Sequence, residues 1–287
     1  MHADVVTDPL CHHGEGPHWS SAWGDGGALR WVDMLAGRFL EWDLVSGAPR
    51  SVDVPGPVVA CVRPRGGGGA VLALEKGFGL EEPDGTIRAL ESLWEGPVRM
   101  NEGAVMPDGS FCCGTMAYDQ SPGAASMHRL MPDLAAREVA TGLTISNGLA
   151  LSPDRALAYY VDTPTGRVDV LDWDDERGLV NRRAFADLGD EEGSPDGLTV
   201  DALGNVWVAM FGGGAVLGLD AFGNVVERIG VGARQVTACA FGGEDLSALC
   251  ITTSREGLAD DEDPQAGSLF AAVPGVHGIV DEIPFAG

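Results

Sequence analysis

Polar and apolar positions alternate along this chain in a phrase that recurs six times: a polar residue opens a short apolar strand, a tight turn follows, and a second strand runs out to a polar end. The fullest copy, residues 143–163, reads LTISNGLALSPDRALAYYVDT. The others are EGPHWSSAWGDGGALRWVDM from Glu15, VACVRPRGGGGAVLALE from Val59, NEGAVMPDGSFCCGTM from Asn101, DGLTVDALGNVWVAMF from Asp196 and VTACAFGGEDLSALCITTS from Val236. Third candidate strands follow, among them GRFLEWD, SMHRLM, GRVDVLDW, GAVLGLD and GSLFAAV, and then weaker fourth strands such as RSVDV or NVVERI. No long stretch has helical periodicity.

The copies begin near positions 15, 58, 101, 147, 196 and 236, a period of about 40 to 49 residues. That is the length of a four-stranded propeller blade. The pattern therefore predicts an all-β protein, a six-bladed β-propeller with four-stranded blades, filling residues 1–287 as a single domain. Asp4 to Thr7 is expected to be the outer strand of the last blade, paired with Gly275 to Val280, which would close the ring and remove two sheet edges. The acid-rich segments DWDDERG (172–178) and ADDEDPQAG (259–267) read as solvated loops, and neither has the ligand spacing of an EF-hand.

Composition agrees with many tight turns: 42 Gly and 17 Pro interrupt strands that stay apolar throughout. The formal charge of −25 leaves no basic patch for nucleic-acid phosphate or anionic lipid. It fits either solubility in a salty cytoplasm or a field that retains cations. Six cysteines without CxxC spacing read as small buried side chains, and adjacent Cys112 and Cys113 should face opposite ways on a strand. With no basic segment leading into an apolar run at the start, and no run of 18 apolar residues, the expectation is a cytoplasmic protein that contacts neither membrane nor nucleic acid.

The register of the repeat carries the candidate chemistry. Position one holds Glu15 in blade 1, Asn101 in blade 3, Asn147 in blade 4 and Asp196 in blade 5. Innermost strands begin around one mouth of the channel, so residues more than 180 positions apart converge there. Two carboxylates and two amides suit one hard divalent cation such as calcium, magnesium or manganese, and oxygen ligands do not exclude zinc or ferrous iron. Arg99, two residues before Asn101, points the same way and can reach a carbonyl or polyhydroxylated substrate. Taken singly, each Asn or Gly is a turn builder; several polar side chains in one register favour a site.

The chain resembles the family of senescence marker protein 30, the gluconolactonases and the luciferin-regenerating enzymes. The residues that carry the resemblance are GEGPHW at 14–19, WVD at 31–33 with GR at 37–38, RMNEG at 99–103, PDGSFCCGTM at 107–116, SNGLALSPD at 146–154 and SPDGLTVDALGNVWVA at 194–209. It covers nearly the whole chain, and the six motifs in order are far more specific than any one alone. The resemblance implies a six-bladed propeller with one divalent metal, whose ligands match Glu15, Asn147 and Asp196. Asn101 then lies near the metal or substrate, Arg99 matches a substrate-contacting arginine, and a glutamate that helps hold sugar hydroxyls falls near Asp119. Asp119 is shorter by one methylene and lies in a variable loop. His12 and His13 before Gly14 depart from the family and are expected to be exposed loop residues, one of them able to border the mouth.

What the resemblance implies about activity is hydrolysis of a small-molecule sugar lactone. The metal polarises the lactone carbonyl and activates water, Asp196 acts as base or ligand, and Arg99, Asn101 and Asp119 bind substrate. An arylesterase or phosphotriesterase-like metal hydrolase, and a non-catalytic metal-binding or interaction propeller, are the alternatives. The chain has no G-x-S-x-G nucleophile elbow, and RGGGG and FGGG lack the Lys-Ser/Thr continuation of a phosphate loop.

Overall fold

The computed structural model describes residues 1–44, 47–259, 261–280 and 282–287. Among these residues the strands form six antiparallel sheets of four, five of them ordered as in the sequence and the sixth completed at its outer edge by the N-terminal strand, and together they make the ring of a six-bladed β-propeller. The innermost strands are Gly14–Ser20, Val59–Pro64, Val98–Val105, Ser146–Leu151, Ser194–Val200 and Val236–Gly242. Burial falls outward: Phe111–Ala117 is wholly buried, whereas Ala136–Leu143 at the edge of the same blade is mostly exposed. Apolar side chains packed between neighbouring blades hold the ring, with Phe78 of blade 2 edge-on to Phe111 of blade 3 at 5.6 Å between centroids.

Many of the acids build turns. Asp108, Asp201 and Asp220 each accept the amide two residues on, at 3.1, 2.9 and 2.9 Å, so that a hairpin turn is shaped by its own carboxylate. Part of the negative charge is thus structural. Within the acid-rich loop 259–267, Glu262 and Asp263 accept the amides of Ala259 and Arg234; Asp260 lies outside the described residues.

Ring closure uses the expected N-terminal strand and a different partner. Asp4–Val5 pairs with Phe270–Ala272, through Asp4 with Ala271 and Val5 with Phe270. Residues 275–280 instead leave the blade and cross the far end of the channel, where Gly278 donates to the Leu246 carbonyl and Ala202 donates to that of His277. Phe270–Ala272 offers the free strand edge, and Gly275 with its positive φ of 84° turns the chain away. All six cysteines are free and buried, and Cys112 and Cys113 pack in different core clusters, as alternation requires. No helix among the described residues is long and apolar enough to cross a membrane.

Candidate active site

Each inner strand carries a β-bulge at the same height. Pairing slips between Glu15 and His18, Val59 and Cys61, Met100 and Gly103, Ser146 and Leu149, Pro195 and Leu198, and Val236 and Ala238. A bulge puts an unpaired residue into the strand and re-aims its side chain. Asn101, Asn147 and Asp196 are the first residues inside their bulges. Glu15 is the last paired residue before its own bulge, yet it holds the same place in the ring: Gly16 after it backs onto the Ala60 carbonyl of the next blade, as Gly148 backs onto that of Asp196 and Gly197 onto that of Thr237. Blades 2 and 6 place Ala60 and Thr237 inside their bulges, and the Thr237 hydroxyl is spent on the Gly14 carbonyl at 2.6 Å and on Thr252 at 2.9 Å.

The glycines that follow these residues belong to the same device. A Cβ on Gly148 would lie 2.8 Å from the Asp196 carbonyl, and one on Gly197 would lie 2.5 Å from the Ala238 side chain. Asn-Gly and Asp-Gly here allow inner strands of neighbouring blades to approach, and they are not turns.

A hydrogen-bond chain fixes the amides. Thr163, on a short 3-10 turn after the second strand of blade 4, donates its hydroxyl to the Pro195 carbonyl at 2.9 Å, which leaves its oxygen to accept Asn147 Nδ2 at 2.8 Å. Asn147 Oδ1 therefore faces Asn101, whose Nδ2 donates to it and to the Ser146 carbonyl, both at 2.9 Å. Asn101 Oδ1 accepts Arg99 Nη1 at 2.6 Å. The same nitrogen donates to the Met100 carbonyl at 3.0 Å and contacts Met34 Sδ at 2.8 Å. One corner of the guanidinium is anchored, and Nη2 and Nε have no partner among the described residues.

The electrostatics of this mouth call for positive charge. Burial pushes the Glu15 carboxyl well above the usual carboxylate range, and the charges of Asp196 and Glu102 push it further, against the Gly16 amide and Arg99. Asp196 is likewise raised by burial and by Glu102, with Arg99 and Asn147 pulling the other way. Glu102 is raised by burial and held back chiefly by Arg63, at 2.8 Å. Asp196 Oδ1 is buried without any hydrogen-bond partner. A buried acceptor without a donor beside a second crowded carboxylate is the environment a divalent cation satisfies. Among the described residues no group of three or more His, Cys, Asp or Glu side chains is placed to hold a metal, so a cation here must also draw on amide oxygen.

Asp119 sits in an exposed turn beside Tyr118, its Oδ1 accepts the Ser121 amide at 3.1 Å, and hydrogen bonding by the Ser121 side chain, then by that amide, holds its pKa below the usual value. His12 is exposed as expected, but His13 is buried, with 6% of its surface accessible, because its chain direction is fixed by the Asp33 carboxylate accepting both the His12 and His13 amides. The Ser254 hydroxyl accepts the Glu256 amide and lies 2.7 Å from His13 Nδ1. Glu256 approaches the same nitrogen at 3.5 Å, yet burial and then the Arg99 charge dominate, pushing the imidazole down to about 3 and keeping it neutral.

Sequence reasoning also passed over Glu102 and Arg63. Glu102 is the second residue in the Asn101 bulge, which buries two consecutive side chains that regular alternation would separate. Paired with Arg63, which also donates to the Gly16 carbonyl at 3.2 Å, it forms a floor beneath the mouth. Below it a cavity of about 210 Å³ opens among Leu149, Leu151, Leu198, Val200 and Phe241, at the opposite end of the same strands. The tail crosses that end, with Glu282 accepting from Ser20 and paired with His18, both at 2.6 Å.

Known proteins share this architecture. Residues 13–255 match the model of the SMP-30/gluconolactonase/LRE-like region. The chain is 33% identical over 289 residues to regucalcin of Oryctolagus cuniculus, covering 96% of each. It is 34% identical over 272 residues to the pentonolactonase XacC of Haloferax volcanii, covering 93% of this chain and 91% of that one. Among solved structures, a calcium-binding protein, regucalcin, from Agrobacterium tumefaciens superposes with a TM-score of 0.89 at 28% identity, covering 99% and 97% of the two chains. With its six blades, its family motifs in order and a match over most of its length, this chain belongs to the SMP-30/gluconolactonase/LRE-like family.

Proposed function

We propose that this mouth hydrolyses a sugar lactone to its aldonic acid with the help of one divalent cation held by Glu15, Asn147 and Asp196. When bound, such a cation supplies Lewis acidity toward a carbonyl oxygen and acidifies water. The observation that carries the reading is the unpartnered Asp196 Oδ1, buried beside Glu15 at the end of an amide chain that aims Asn147 Oδ1 inward. Relatives named pentonolactonase and putative sugar lactone lactonase support the reaction, and the calcium-binding neighbour supports a hard cation.

Asp196 orients the attacking water and takes its proton as the oxygen adds to the lactone carbonyl carbon. Burial raises its proton affinity, which suits a base working near neutral pH. Arg99, anchored through Nη1, turns Nη2 and Nε to the substrate oxygens, and Asn101 keeps Arg99 and Asn147 in a fixed relation. As the bond between the acyl carbon and the ring oxygen breaks, the departing ring oxygen receives the proton that Asp196 took from the water, which restores the Asp196 carboxylate, and the ring-opened acid leaves and ionises to the aldonate. His13 stays neutral and, with Ser254, walls the mouth without adding charge.

The test is a pH-stat assay of aldonolactones with metal-free protein resupplied with single divalent cations, corrected for spontaneous opening and for catalysis by free metal. Cation-dependent acid release that is absent in Asp196→Ala and Asn147→Ala supports the reading. Equal rates with and without cation contradict it, and a strong preference for aryl esters or phosphotriesters transfers the site to those substrates.

A further inference from the structure

Blade 2 gives the mouth no oxygen from its inner strand, because Ala60 fills the bulge, yet it places a carboxylate on the rim. Glu75 follows the strand Ala70–Leu74, its carbonyl accepts the Met100 amide at 2.9 Å, and its Oε1 accepts the Tyr118 hydroxyl at 2.8 Å. Asp33 pairs with Gly14 as Leu74 pairs with Val59, so Met34 holds the matching place in blade 1 and offers a thioether there, which contacts Arg99 Nη1 at 2.8 Å. Glu75 has no amide or cation on its carboxylate among the described residues; Tyr118 is its hydrogen-bond partner.

Tyr118 is set beside Arg99 by register. Arg99 pairs with Met116 across the strands of blade 3, and Tyr118, two residues on, projects from the same face, its amide held by the Pro97 carbonyl at 3.0 Å. The Arg99 charge acts on the phenol, whose ring stands 46% exposed at the rim above the buried guanidinium. With its proton given to Glu75, the phenol oxygen keeps its lone pairs, and Glu75 keeps a second oxygen. Both offer acceptors to hydroxyl groups, and the carboxylate repels an anionic substituent.

We propose that Tyr118 and Glu75 form a hydroxyl-recognition subsite at the rim beyond Arg99, which selects neutral lactones carrying free hydroxyls away from the reacting carbonyl. It rests on the reading that this mouth takes a sugar lactone. The pair makes specificity and leaves the chemistry to the floor of the mouth.

The experiment compares kcat/KM for glucono-1,5-lactone with that for δ-valerolactone, which lacks the hydroxyls, in the wild type, Tyr118→Phe and Glu75→Ala. The ratio is expected to fall about tenfold in each variant, mainly through KM for the hydroxylated lactone. An equal change on both lactones, as a structural role would give, or a ratio within about twofold of the wild type, overturns the proposal. In parallel, ligand-observed NMR titrates the unreactive ring 1,5-anhydroglucitol against tetrahydropyran. Selective binding of the former by the wild type, weakened in both variants, supports the subsite; no selective binding, or none lost, overturns it. If the wild type hydrolyses no lactone, the catalytic reading fails, and the binding arm decides the subsite alone.

Discussion

The channel has two ends made by the same six strands, and they differ in what those strands spend. At the upper end they bury Glu15, Asp196 and Glu102, each raised first by burial, with Asp196 and Glu102 adding to the rise of Glu15 and Glu102 to that of Asp196, and one acceptor is left unpartnered. Two to four residues further along, the strands show Leu149, Leu151, Leu198 and Val200, and His18 and Ser20 are paired with Glu282 of the crossing tail. Stability alone would build both ends like the lower one, since crowded buried carboxylates cost free energy unless a cation is supplied. The bulges turn a symmetric ring into this asymmetric one by aiming single residues at the axis, in four blades of six.

The sharpest way to break the comparison is to remove the upper oxygens. Asp196→Ala should lower cation-supported lactone hydrolysis roughly thousandfold or more, measured by acid release under saturating cation, because it removes ligand and base together. Next comes stability without metal. Above about pH 4.3 the unfolded chain ionises these carboxylates while the folded one resists, so the folded state binds more protons and its stability falls as pH rises through the window up to their raised pKa values. In chelator at neutral pH, Asp196→Asn should therefore be more stable than the wild type by about 1 to 3 kcal/mol in denaturant melts, although inactive. With cation added, the order should reverse.

His13 gives the opposite slope at the same end. Its ring is held down to about 3 when folded and titrates near 6.5 when unfolded, so its contribution is present above about pH 6.5 and is lost as pH falls toward 3. His13→Asn should flatten the acid side of the stability profile by up to about 1.4 kcal/mol per pH unit, read from denaturant midpoints between pH 4 and 6.5. The smallest effect belongs to the lower end. Glu282→Ala leaves His18 and Ser20 without their partner and should cost about 1 kcal/mol in a thermal or denaturant melt, with kcat on the lactone within about twofold of the wild type.

Much of this was legible in the chain because a propeller repeats. Six copies of one strand–turn–strand phrase gave the blades, and the polar openings of four copies pointed to Glu15, Asn101, Asn147 and Asp196. What was not legible depends on contacts between blades. Nothing near His13 says that the Asp33 carboxylate will draw its backbone inward, and Glu102 reads as an ordinary outward residue until the bulge places it beside Asn101. Closure was half visible: the N-terminal strand was apparent, but whether 270–272 or 275–280 received it depended on the turn at Gly275. Tyr118 and Glu75 are 43 positions apart and meet only because consecutive blades stand side by side.

The central claim is that one cation sits among Glu15, Asn147 and Asp196, and the most direct measurement is an anomalous difference map from crystals soaked in manganese. The account predicts a single strong peak within bonding distance of Asp196 Oδ1, a Glu15 carboxylate oxygen and Asn147 Oδ1, lost in Asp196→Ala. Peaks confined to outer acidic turns such as 259–267, with none at the axis, would contradict it.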